Sequence, residues 1–290
     1  MVDVVIPAFN RPALLAEAVL SVQQQTWTDW KLIIVDDAST IPLGVEKFSG
    51  DARIRTIRNP QNRGPAFARN IGALSGQSPF IAFLDCDDLW HEEKLSKQMT
   101  FFATYPEMAW CHTDELWQRS GVEVKQKSEH RKQEGQFLKR AFERCLISPS
   151  AVMMKRSFFE ASGGFLPSLR WAEDFELWLR LLYLQPIGFI DEALAIKRTG
   201  DWDQLSRKIN IDHYRVLALH RFWRRVKNTA NSHFNPQDLL DTMEKKTTYL
   251  LKGAQKYGHQ NLQKKYQLWL TLFSILRTRP MRKSSRGISK

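Results

Sequence analysis

Over residues 1–114 the apolar positions fall into short runs that alternate with stretches of helical periodicity. Val2, Val4, Val5 and Ile6 predict a strand over 2–6, and Leu14, Ala18 and Val22 recur on one face of a helix over 13–25. A second strand is predicted over 32–35. Residues 53–58 alternate charged and apolar positions as an edge strand does, and Asn62-Arg63-Gly64-Pro65 turns the chain into a helix through Ala66, Asn70 and Leu74 that Gly76 stops. The continuous run Phe80-Ile81-Ala82-Phe83-Leu84 reads as a strand covered on both faces. A helix over 92–105 and an apolar run over 108–111 follow. Such alternation predicts a doubly wound α/β domain with a mostly parallel central sheet.

The second half is less regular. The polar stretch 118–136 has weak periodicity and is expected as an insertion or edge strand, followed by a helix over 136–146, a strand over 151–154 and a short helix over 158–164 closed by Gly163-Gly164. Phe175, Trp178, Leu179 and Leu182 mark the buried face of a further helix, which places Glu173 and Asp174 at its N-terminus, where the helix dipole favours ionised carboxylates. Three amphipathic helices are predicted over 214–226, 236–257 and 261–276. The longest apolar run in this tail, 268–276 with Thr271 and Ser274 inside it, falls far short of the roughly 20 residues that span a bilayer.

Charge sharpens the division. Residues 1–220 carry 27 Lys+Arg against 28 Asp+Glu, whereas residues 221–290 carry 16 against 3, so the whole excess behind the net charge of +12 lies in the tail. A basic helical tail suits nucleic acid or an anionic membrane surface, and composition does not choose between them. The three cysteines, Cys86, Cys111 and Cys145, show no CxxC pairing and are odd in number, which argues against a zinc ribbon or disulfide framework and fits a cytoplasmic setting. The N-terminal apolar run has no basic segment before it and is too short for a signal peptide.

The chemistry concentrates after the strand at 80–84, where Asp85, Asp87 and Asp88 fall within four residues. Ligands of open α/β sheets bind beyond the carboxyl ends of strands. Three such carboxylates repel unless a cation is shared, and hard oxygen donors suit Mg²⁺ or Mn²⁺, ions that commonly arrive with phosphates. The plainer alternative is a solvated turn whose aspartates cap a following helix; for Glu173 and Asp174 a capping pair is likewise the plain alternative.

Several pieces stand in one order: Val5-Ile6-Pro7-Ala8-Phe9-Asn10, Ile33-Ile34-Val35-Asp36-Asp37, Asn62-Arg63-Gly64 through Ala68-Arg69-Asn70, Phe83-Leu84-Asp85-Cys86-Asp87-Asp88, and Gly163-Gly164-Phe165 leading to Glu173-Asp174 and Leu177-Trp178-Leu179-Arg180. With them the chain resembles the inverting nucleotide-sugar glycosyltransferases of family 2, which have the GT-A fold. The resemblance implies a catalytic domain over 1–206, with a nucleotide-sugar half over 1–114 and an acceptor half over 115–206, and leaves 207–290 as a basic helical extension. It implies that Pro7, Phe9 and Asp36 line the base pocket, that Arg69 lies near the nucleotide, and that Asp85 and Asp87 contact the donor while Asp87 and Asp88 hold Mn²⁺ or Mg²⁺. Asp174 is the implied catalytic base, with Glu173 beside it. A saccharide or lipid-linked saccharide is the implied acceptor, in surface polysaccharide assembly.

The chain departs from the family pattern after the last core strand. A histidine often found there is absent from the stretch Lys197 to Ser206, which leaves Asp201 in its place or Lys197 or Arg198 to meet the diphosphate. Trp171 and Trp202 stand as sugar-stacking platforms or as ordinary packed aromatics. Two rivals remain: an aspartate-nucleophile phosphohydrolase, which wants its DxD on the first strand, and a non-catalytic protein whose basic tail binds nucleic acid or a membrane. No RNP-like or zinc motif supports a nucleic-acid partner, and none is expected; peripheral attachment to the inner face of the cell membrane is the expectation for the tail.

Overall fold

The computed structural model describes residues 1–169, 171–200, 211–227 and 234–278. Its N-terminal half is built from β1 (Val2–Ala8), α1 (Pro12–Gln23), β2 (Trp30–Asp36), β3 (Ile54–Arg58), α2 (Pro65–Ser75) and β4 (Phe80–Phe83), in the alternation that the apolar pattern predicts. Parallel pairing joins β3 to β2, β2 to β1 and β1 to β4. Every residue of β1 is buried, as expected of a central strand packed on both faces. Pro12 and Pro65 open α1 and α2 at positions where the missing amide hydrogen costs nothing. Gly72 lets α2 lie directly on β1, since a Cβ there would meet Val5 Cγ1 at 2.3 Å.

Beyond β4 the sheet changes character. Its other strands are β5 (Leu89–Trp90), β6 (Trp110–Arg119), β7 (Val122–Glu123), β8 (Val152–Lys155) and β9 (Gly188–Thr199), in the order β3-β2-β1-β4-β8-β6-β9-β5 with β7 on β6. β8 runs antiparallel to β4 and β6, β5 antiparallel to β9, and β6 parallel to β9 with register shifts at Asp114. Parallel pairing thus prevails among β1 to β4 and the rest of the sheet is mixed. The pattern of apolar residues did not disclose β9, whose Asp191 and Glu192 interrupt it, nor the length of β6, which continues through polar residues because β9 covers its edge.

Helices cover both faces. On one, α1 and α3 (Lys94–Thr104) bury Leu15, Val19, Leu95 and Phe102 against Val4, Ile6 and Leu32. On the other lie α2, α4 (Leu138–Glu143), α5 (Arg156–Ser162) and α6 (Glu173–Leu184). The C-terminal helices α7 (Ile211–Val226), α8 (Pro236–Lys256) and α9 (Gln260–Thr278) continue this second core: Phe222, Trp223, Leu240, Met243 and Phe273 belong to the same buried cluster as Leu177, Trp178 and Leu182 of α6. Most of the apolar run 268–276 is therefore turned inward. Phe273 is buried, Trp269, Leu272 and Leu276 pack on the core, and Leu268 (68% exposed) and Ile275 (45%) face outward; Arg279 lies outside the described residues.

Candidate active site

Three loops meet at the carboxyl ends of β1, β2 and β4. Asn10, in the left-handed region (φ 54°), takes a hydrogen bond from the amides of Thr40 (2.8 Å) and Ile41 (3.0 Å) on its side-chain oxygen, while its own amide donates to Ser39 Oγ (3.0 Å). The first two loops are thereby locked together. Pro7 is buried within β1, and Phe9, just beyond it, is 40% exposed at the mouth. Asp36 is buried; its carboxylate accepts from the Ser39 amide (2.8 Å) and pairs with the exposed Arg58. Asp37, which carried no expected role, holds the next loop, accepting from Asn59 Nδ2 (2.7 Å), the Gly64 amide (2.7 Å) and the Arg63 amide (3.1 Å).

The aspartate cluster is matched group by group. Asp85 pairs with Arg69 (2.6 Å), Asp87 with Arg11 (2.7 Å), and the buried Asp88 accepts from Ser150 Oγ (2.6 Å) and the Arg198 amide (3.0 Å). No helix begins at Leu89: the turn runs into β5, which disposes of the helix-capping alternative. Burial, together with the negative charge of Asp87 and Asp85, pushes the Asp88 carboxyl up to about 8 against the pull of Lys197 and the Ser150 hydroxyl.

Arg69 is 4% exposed, and its two Nη atoms donate to Asp85 (2.6 Å) and to Glu173 Oε1 (3.0 Å), so it bridges the aspartate cluster to the start of α6. Glu173, buried at the start of α6, is the far end of this bridge. Its next neighbour Asp174 is half-buried at the start of α6, with Oδ2 3.6 Å from Cys145 Sγ and its other oxygen on the Phe175 amide. Arg69 and Asn70, consecutive on α2, both reach across to the 165–173 segment. The Asn70 side chain brackets Phe165, donating to its carbonyl (2.8 Å) and accepting from its amide (2.9 Å). Buried Arg180 then ties α6 to the same turn through Glu176 (2.8 Å), the Gly164 carbonyl (2.6 Å) and the Ser162 carbonyl.

Beyond β4 an open cleft of about 610 Å³ is bounded by β6, β7 and the segment after them, with Glu115, Trp117, Glu123, Lys125, Gln126 and Arg131 among its walls. The register shift at Asp114 re-aims the strand here, as β-bulges do. Buried Glu115 pairs with buried Lys132 (3.0 Å), which holds its carboxyl down at about 2 against the cost of burial. Trp171, half-buried, packs edge-on against Tyr214 of α7 (4.7 Å). Asp201 and Trp202 lie outside the described residues. Arg11, Asp37, Arg58, Ser150 and Lys132 were missed from the sequence because single charged or hydroxyl residues carry no spacing signal; only the fold brings them to the motifs.

A family model described as Glycosyl transferase family 2 matches residues 3–163, more than half of the chain. The chain belongs to glycosyl transferase family 2. An uncharacterized glycosyltransferase of Rickettsia felis is 30% identical over 202 residues, which make up 67% of this chain and 32% of that protein, so the chain spans about a third of that relative's length. The putative teichuronic acid biosynthesis glycosyltransferase TuaG of Bacillus subtilis is 33% identical over 189 residues (63% of this chain, 72% of TuaG). The UDP-Glc:alpha-D-GlcNAc-diphosphoundecaprenol beta-1,3-glucosyltransferase WfgD of Escherichia coli is 35% identical over 102 residues (34% of this chain, 40% of WfgD). Among solved structures, S. aureus TarS 1-349 in complex with UDP-GlcNAc superposes with a TM-score of 0.65 at 16% identity, covering 97% of this chain and 93% of that one. The mannosyltransferase PcManGT of Pyrobaculum calidifontis, in complex with GDP-Man and Mn2+, gives 0.56 at 15% identity (95% and 84%). The fold is that of the GT-A glycosyltransferases.

In a member of this family the aspartate cluster must be weighed as a metal site. Among the described residues no three His, Cys, Asp or Glu side chains converge as a complete cage. None is required, because Mg²⁺-type ions are held on nucleotides by one or two carboxylates, with phosphates and water completing the shell. Asp87 and the buried, charge-crowded Asp88 fit that demand.

Proposed function

We propose that this family 2 glycosyltransferase moves a sugar from a nucleoside-diphosphate sugar to an acceptor hydroxyl with inversion, in the assembly of a surface polysaccharide. The observation that carries the reading is the Asp85–Arg69–Glu173 bridge, which fixes the aspartate cluster and Asp174 to the two halves of one site. Pro7, Phe9 and Asp36 line the base end, and Asp85 and Asp87 meet the donor. Mn²⁺ or Mg²⁺ on Asp87 and Asp88 would supply a Lewis acid for the charge that grows on the diphosphate. Asp174 takes the proton of the acceptor hydroxyl as its oxygen bonds to the anomeric carbon from the face opposite the leaving group; the bond from that carbon to the diphosphate breaks, and its electron pair stays on the phosphate oxygen. The UDP-GlcNAc and GDP-Man complexes of proteins with this fold support the donor class, and the diphosphoundecaprenol-linked acceptor named for WfgD supports a lipid-linked saccharide. Such an acceptor agrees with a peripheral place on the cytoplasmic face of a membrane.

A panel of nucleotide sugars, screened for Mn²⁺-dependent thermal stabilisation, tests the reading. A bound donor raises the melting temperature with its occupancy. One donor is expected to stabilise the wild type and to lose that effect in Asp87→Ala and in Asp88→Ala, because the diphosphate then faces the remaining carboxylates without a cation between them. A chain that no nucleotide sugar stabilises, with or without metal, is not a transferase of this kind.

A further inference from the structure

Two adjacent cations close β9 beside the aspartate cluster, and the structure uses them differently. Arg198 is committed: its amide donates to Asp88 (3.0 Å), its Nε to the Asp87 carbonyl (2.7 Å), and its guanidinium pairs with Glu17. Lys197 is half-buried in the field of the Glu115, Asp88 and Asp174 carboxylates, with Nζ 5.9 Å from the centre of the Trp117 ring. Among the described residues it closes an ion pair or hydrogen bond with none of them. The neighbouring acids already have partners: Asp85 has Arg69, Asp87 has Arg11, Asp88 has Ser150 and the Arg198 amide, and Glu115 has Lys132.

Backbone pairing accounts for the placement. Ile196 pairs with Leu89 of β5, the residue after Asp88, and Lys197 lies opposite Trp117 on β6. The ammonium is thus left without a side-chain ion pair among the described residues, and an incoming polyanion supplies a charge-assisted partner for it. Although burial favours the neutral amine, the surrounding carboxylates raise the Lys197 pKa and keep the ammonium protonated.

We infer that Lys197 receives the diphosphate of the donor, holding the negative charge of the leaving nucleoside diphosphate and selecting diphosphates over monophosphates. The inference rests on the transferase reading. It assigns to the chain's own lysine the closing side of the site, where the family pattern would place a histidine. No proton moves from Lys197: the electron pair of the broken sugar–oxygen bond remains on the phosphate oxygen, which the ammonium contacts as a charge-assisted donor.

Calorimetric titration of UDP and UMP, and of GDP and GMP, into the wild type, Lys197→Met and Lys197→Arg tests this, with and without Mn²⁺. Lys197→Met is expected to weaken diphosphate binding by about tenfold or more, from the loss of one charge-assisted contact, and to leave monophosphate binding unchanged. Lys197→Arg should recover part of the loss. Equal diphosphate affinity in wild type and Lys197→Met overturns the inference while leaving the transferase reading intact; failure of every nucleotide to bind the wild type overturns both. Should Lys197→Met not fold, reductive methylation of the wild type read by mass spectrometry decides: the bound diphosphate must protect Lys197 and the monophosphate must not, and equal labelling in the two cases rejects the assignment.

Discussion

Asp174 and Glu173 are adjacent carboxylates with opposite fates, and the difference is one of partners. Glu173 is buried against Arg69, whereas Asp174 is half-buried, accepts from the Phe175 amide and lies 3.6 Å from the Cys145 thiol. General-base assistance is typically worth ~10²–10⁴-fold. Asp174→Asn is therefore expected to cut transfer by that order while donor affinity, measured calorimetrically, stays within a few-fold; near-normal transfer would make Asp174 a helix cap and nothing more. Glu173 has its own signature. Burial, and then the charge of Asp174, push its carboxyl from 4.5 to about 7 against the pull of Arg69. The folded chain then keeps a proton that the unfolded chain has released, so between these pH values stability falls as pH rises. Denaturant titrations across this window should show that slope in the wild type and a flatter profile in Glu173→Gln; identical slopes would mean that Glu173 is ionised throughout.

At the scale of elements, two consecutive residues of α2 hold α6 and the turn before it, Arg69 through Glu173 and Asn70 through Phe165, and this explains why the Ala68-Arg69-Asn70, Gly163-Gly164-Phe165 and Glu173-Asp174 motifs occur together in the sequence. Gly164 stands at φ 68°, and a Cβ there would meet Asn70 Oδ1 at 2.7 Å. Gly164→Ala should cost ~1–3 kcal/mol from the left-handed backbone alone, a fall of roughly 2–4 °C in Tm per kcal/mol for a domain of this size class. Because the new methyl group strikes Asn70, pairing it with Asn70→Ala should give less than the sum of the two separate losses; strict additivity would show that the two residues do not act as one clamp. The N-terminal strands and helices were legible because each buries a periodic face, so their apolar pattern records their environment directly. β9 was not, since its exposed middle breaks the period and its place between β6 and β5 is set by distant partners. The same limit applies to the site. Asp85, Asp87, Asp88 and Asp174 announce themselves as clusters, whereas Arg11 lies 76 residues from Asp87 in the chain and meets it only through the fold.

For the whole molecule, the packing of the C-terminal helices changes what a membrane role requires. With Tyr266 and Phe273 buried and Trp269, Leu272 and Leu276 against the core, little apolar surface remains on α9 to insert beside Leu268 and Ile275, and among the described residues no helix is long and apolar enough to cross a membrane. Some of the basic charge is also neutralised internally, Arg277 by Asp241 (2.6 Å) and Glu244 (2.7 Å) and Lys246 by Asp212 (3.1 Å). Attachment must then be chiefly electrostatic. Residues 279–290 add Arg279, Arg282, Lys283, Arg286 and Lys290 with no acidic residue among them. At about 1 kcal/mol for each Lys or Arg near an anionic leaflet, five give up to about 5 kcal/mol, an attraction confined to roughly a Debye length and weakened by salt. The full chain is expected to sediment with phosphatidylserine-containing vesicles at low salt, to stay in solution with phosphatidylcholine alone, and to dissociate as salt rises. A chain ending at Thr278 should lose most of this binding while keeping its melting temperature, since the buried residues of α7, α8 and α9 are all retained. Binding that survives the truncation would move the contact to α9 itself, around the exposed Lys264 and Lys265; a full chain that ignores anionic vesicles at low salt would leave the basic tail without a membrane role.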